Sequence, residues 1–128
     1  EELIAEAVLE RSSVLTEEDL LAIINATHSL RKLLAIAGRD TLSSDVCNAL
    51  IDDGRHEVTM RVIQNDGALI EEDTFQYLLE EYYQDDSILE ALVYRSNLPY
   101  TVAEKLFYIV GEEYRQHLSK THQLRQDR

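Results

Sequence analysis

A chain of 128 residues with 45 % hydrophobic and 29 % charged side chains, four Gly and one Pro can bury about two-thirds of its extended surface, which excludes disordered, collagen-like and disulfide-stapled classes. Twelve bases against 25 acids leave a charge of −13, which repels a phosphate backbone and argues against a nucleic-acid partner. The longest apolar runs fall far short of the roughly 18 residues of a membrane span, and a lone cysteine, Cys47, offers neither a disulfide nor a zinc site.

Apolar residues recur at three and four along almost the whole chain, with no period-two alternation, so every predicted element is a helix. The stretch from Leu3 to Leu9 opens the series. Thr16-x-x-Asp19 has the spacing of a capping box ahead of Leu20, Ile23 and Ile24. The next stripes are Leu30, Leu33, Leu34 and Ala37, then Val46, Cys47 and Leu50, then Val58 and Val62. They are followed by Phe75, Leu78, Leu79 and Tyr82, by Ile88, Leu89, Leu92 and Val93, by Val102, Ala103, Leu106 and Val110, and by Tyr114 and Leu118. Eight short helices after the opening one are expected. Gly38, Gly54, Gly67 and Gly111 fall between them, and Pro99 stands where a first turn begins.

The phase of this pattern carries the architecture. Leu15, Leu42, Leu69 and Leu98 each precede the first helix of a pair, at spacings of 27, 27 and 29. RDTLSSDVCNAL (39–50) and RSNLPYTVAEKL (95–106) share Arg-x-x-Leu-x-x-x-Val-small-x-x-Leu at an offset of 56. A helix pair of this length closes no core alone and buries its stripe on the next pair, giving an all-α, HEAT-like α-α superhelix of about four helix pairs plus an N-terminal helix. Val46 and Val102, Cys47 and Ala103, and Leu50 and Leu106 are then equivalent packing positions. Arg39 and Arg95 follow helices, where a cation meets unpaired carbonyls.

AEAVLERSSVLTEEDLLAII, LLAIAGRDTLSSDVCNALIDDG, VIQNDGALIEEDTF and ALVYRSNLPYTVAEKLF together resemble the bacterial family of HEAT-like helical-repeat proteins known as domain of unknown function 2336. The likeness runs in order from about Ala5 to Leu118. It implies a HEAT-like superhelix in cytoplasmic proteins, with this chain the later portion of the usual domain, and it brings no catalytic residues. The chain begins with Glu and ends on QLRQDR, so a single helical-repeat domain over 1–128, cut from a longer protein, is expected.

No chemistry-bearing motif stands out. Carboxylates are abundant but unpaired with a base at defined spacing, there is no calcium-loop signature, and His28, His56, His117 and His122 lack ligand spacing. There is no phosphate-cradling Gly loop and no nucleophile elbow. No enzyme, cofactor or metal is therefore expected.

Two asymmetries coincide. All nine aromatics lie between Phe75 and Tyr114, and residues 62–94 hold nine carboxylates without a Lys or Arg. With 75, 78 and 79 inward, Tyr77, Glu80, Glu81 and Gln84 face outward with Tyr83 at the flank, and Tyr100, Glu104 and Tyr108 do so on the next first helix. Tyrosine among carboxylates suits a Lys/Arg-bearing protein segment; the rival reading is that these hydroxyls merely reach solvent over buried rings. The expected role is a cytoplasmic, non-enzymatic protein-interaction scaffold or regulatory module, with no nucleic-acid or membrane partner. Self-association as a homodimer through apolar ends at 3–9 or 118–124 is the alternative, and an enzyme or metal-dependent regulator the third reading.

Overall fold

The structure, a computed structural model, describes residues 2–122 and, apart from residue 113, the side chains of 5–122. The expected 118–124 end and the terminal QLRQDR thus lie partly or wholly outside the described residues, as does the side chain of Leu3. Within them the chain is all-helical, with nine helices and no strand: α1 (Glu2–Arg11), α2 (Glu17–Ala26), α3 (Leu30–Ala37), α4 (Ser44–Asp52), α5 (His56–Gln64), α6 (Glu72–Glu81), α7 (Asp86–Val93), α8 (Tyr100–Ile109) and α9 (Glu112–His122). They form two compact units, Glu1–Ile70 and Glu71–Arg128. No described helix is long and apolar enough to cross a membrane.

In the first unit each helix from α2 to α4 starts where a side chain satisfies its orphan amides. Asp19 N–H donates to Thr16 Oγ1 and Thr16 N–H to Asp19 Oδ2, both at 3.0 Å, which completes the capping box. Ser29 and Ser43 cap α3 and α4 by accepting from Lys32 N–H and Val46 N–H. Helix α1 packs on α3, α2 on α4 and α3 on α5, with α4 also against α5. Each contact therefore joins a helix mainly to the one two elements on. Val46, Cys47, Leu50 and Ile51 of α4 are all buried, each worth about 1.5 to 3 kcal/mol for the larger side chains. Cys47 is a free, fully buried thiol.

The loops that precede α4 and α6 are stitched together. Leu42 N–H donates to Gly67 O at 3.1 Å and Leu69 N–H to Leu42 O at 2.9 Å, an isolated parallel bridge. Gly67 is required there by space, since an added Cβ would drive into the backbone carbonyl of Asp40. Gly54 is required by conformation: its φ of 86° ends α4 in the left-handed region. Although Leu42 and Leu69 occupy equivalent places in the 27-residue repeat, Leu42 is buried and Leu69 is 67 % exposed.

In the second unit α6 packs on α8 and α7 on α9, with α8 also against α7 and α9. Phe75, Leu78, Ile88, Leu92, Val102, Ala103, Leu106 and Leu118 are fully buried. Asp85 caps α7 through Ile88 N–H, and Pro99 precedes the first residue of α8. Of the four aromatics placed on apolar stripes, only Phe75 is fully enclosed; Tyr82 closes α6 as its C-terminal cap, and Phe107 and Tyr114 are half-buried.

Candidate functional site: the α6–α8 face

Negative charge at the start of α6 comes from Glu72 and Asp73, where the helix dipole favours it by roughly 0.3 to 1 kcal/mol. From there α6 runs beside α8, and two polar bonds fix their alignment. Thr101 Oγ1 donates to Glu72 Oε2 at 2.6 Å, and Lys105 Nζ donates to Gln76 Oε1 at 2.8 Å. Both partners are 29 residues apart, the same offset that separates Leu69 from Leu98. That equality was the available signal for a seam of Glu72, Gln76, Thr101 and Lys105, which reasoning from single-helix faces passes over.

The seam orders the expected contact residues. Glu80 continues the Glu72–Gln76 row by another four positions, and Tyr108 extends the Thr101–Lys105 row by three, so these two stand on or beside the seam. Tyr77 and Tyr100 each lie one residue, or about 100° of helix rotation, off it and occupy the flanks. Glu81 is at the end of α6, and Tyr83 and Gln84 follow in the turn to α7. All of these are exposed, with Tyr77 at 46 %, Tyr83 at 56 %, Tyr100 at 51 % and Tyr108 at 55 %; Glu104 is intermediate. The ring of Tyr108 meets that of Phe107 edge-on at 5.4 Å. A basic side chain, Lys105, thus sits beside a row that residues 62–94 leave entirely without bases.

The opposite helices carry a second polar and aromatic group. Tyr114 Oη donates to Glu90 Oε2 at 2.9 Å. Tyr94 meets the Tyr114 ring edge-on at 6.0 Å and the His117 ring at 4.5 Å. His122, at the end of α9, is held below the ordinary imidazole value of 6.5, first by burial and then by the neighbouring His117, while a backbone hydrogen bond with Arg95 pulls the other way. The two histidines are five residues apart yet share one environment, because both sit where α9 packs on α7.

The arginines of the repeated motif divide. Arg39 follows α3 but reaches back one repeat, donating from Nη1 to Leu9 O and from Nη2 to Ser12 O, both at 2.6 Å, and so caps α1. The end of α3 is served instead by Asn65, whose Nδ2 donates to Ala37 O and Arg39 O. Arg95 is 4 % exposed, with its guanidinium 5.8 Å from the Phe75 ring centre and Nε donating to Asn97 O. Among the described residues no group of three or more His, Cys, Asp or Glu stands together to hold a metal ion.

No curated protein and no solved structure matches the sequence. Residues 4–128 match the model of the bacterial family described as "Uncharacterised protein conserved in bacteria (DUF2336)", and the chain belongs to that family.

Proposed function

We propose that each unit is a HEAT-like stack of helix pairs and that the chain is a non-enzymatic interaction module whose α6–α8 face takes a Lys/Arg-bearing protein segment. The stacking is supported by the packing of each helix on the one two elements later, the arrangement expected when successive pairs lie in register. One observation carries the binding reading: the exposed tyrosines Tyr77, Tyr83, Tyr100 and Tyr108 lie on or next to two adjacent helices whose shared stretch is rich in uncompensated carboxylate. Exposed Tyr rings take a cation for roughly 0.5 to 1 kcal/mol each, and rim carboxylates act mainly on the encounter rate. The complex is therefore modest in affinity and salt-sensitive.

The partner is obtained by pull-down from the source cell with the full-length protein, and binding is then measured by calorimetry. Tyr77→Ala with Tyr100→Ala weakens it at every salt concentration. Glu80→Gln with Glu81→Gln weakens it chiefly at low salt, because screening removes that contribution as the Debye length falls to about 8 Å near 0.15 M. Wild-type binding by both double mutants across the salt range would sink the reading and turn attention to Glu90 and Tyr94, at α7.

A further inference from the structure

The first unit contains a cleft of about 740 Å³, in the range of small-ligand sites. It opens where the chain leaves α1 and α3, and its walls include Arg11, Ser12, Ser13, Arg39 and Thr41. Arg61, on α5, reaches the same place: its Nη1 would lie 3.3 Å from a Cβ added at Gly38, itself a wall residue. Three of the twelve basic residues of a chain with charge −13 thus converge on one concavity, against two carboxylates, Glu10 and Asp40.

The three guanidiniums differ in a way that matters for binding. Arg39 is half-buried and held by the carbonyls of Leu9 and Ser12, which use two of the five N–H donors of an arginine and neutralise none of its charge. Neither Arg39 nor Arg61 has a carboxylate within ion-pairing distance among the described residues. Arg11 meets Glu10 only at 3.8 Å with its side chain 83 % exposed. A fixed cation at the wall, two exposed cations at the rim and three hydroxyls make a donor-rich site without acceptors to match. Gly38 has an ordinary φ of −89°, so its backbone does not ask for glycine; what a side chain would occupy is the space between Glu10 and Arg61, 3.0 Å from Glu10 Oε2.

We infer that this cleft binds the phosphate group of a small anionic ligand, with Arg39 as the fixed anchor and Arg11 and Arg61 closing on it. A phosphate dianion supplies oxygens enough for forked guanidinium contacts and hydroxyl donors together, which a lone carboxylate does not. The site is independent of the α6–α8 face, which belongs to the other unit.

The test uses the whole chain with inorganic phosphate and phenyl phosphate as probes and acetate as the monoanion control, followed by amide chemical shifts. Either phosphate at millimolar concentration shifts the amides of Ser12, Ser13 and Arg39 to Thr41, and acetate at the same concentration does not. The tighter of the two phosphates shows whether free phosphate or phosphate on an organic body is preferred. Arg11→Gln with Arg61→Gln lowers that affinity at least about tenfold while melting as wild type does, because both side chains are exposed and lie at the surface of the fold. Equal binding by the double variant, equal shifts with acetate, shifts centred instead on Arg31, Lys32 or Arg55, or no shift with either phosphate would each overturn the assignment.

Discussion

Leu50 and Leu106 are both fully buried and occupy the same place in the 56-residue correspondence, so truncating either to Ala removes about the same set of methyl contacts. Each change is expected to cost about 2 to 5 kcal/mol in denaturant unfolding; a loss below about 1 kcal/mol at both would reject their equivalence. Gly67→Ala tests a different cause. Its Cβ meets backbone rather than a flexible side chain, so the Leu42–Leu69 stitch has to open, and the expected loss exceeds the roughly 1 kcal/mol of Gly54→Ala, where only the left-handed conformation is penalised. Comparable losses in the two glycine variants would mean that the loops yield more easily than their close approach implies.

At the scale of the element, the end of α9 is expected to respond to pH. The imidazole of His122 is held below 6.5 when folded, so the unfolded chain takes up the proton first. Its contribution to stability is complete above about 6.5 and is lost as pH falls from there through the folded value. Protection of the α9 amides against hydrogen exchange should drop over that interval, and His122→Gln should flatten the dependence; an unchanged profile in the variant would place its origin elsewhere. Helix positions were legible in the sequence because apolar spacing and the capping residues Thr16, Ser29, Ser43 and Asp85 act locally. The partner of Arg39 was not, because a guanidinium after α3 can reach either the carbonyls of its own helix or those a repeat earlier, and only packing decides. Likewise the outward set on α6 and α8 followed from periodicity, whereas the seam residues Gln76 and Lys105 depend on how two helices align.

For the whole molecule, the charge of −13 implies self-repulsion that salt relieves. The melting temperature is therefore expected to rise from low ionic strength to about 0.15 M and to change little above it, as the Debye length shrinks to about 8 Å; a fall over that range, followed by calorimetry, would show that the ion pairs Arg31–Glu6 and Arg55–Asp53 outweigh the repulsion. The placement of helix caps governs where the chain can be divided. Arg39 closes α1, Asn65 closes α3, Arg55 takes the carbonyl of His28 after α2, and Arg115 takes that of Phe107 at the end of α8. Each of these helix ends is thus finished by a residue roughly one element or one repeat further on, and a cut made in the loop after a helix pair severs the donor from the acceptor it serves. The transplantable module of this protein is a helix pair together with the first polar residue of the next element, and a graft or truncation ending at Gly38 would carry α1 away without its closure.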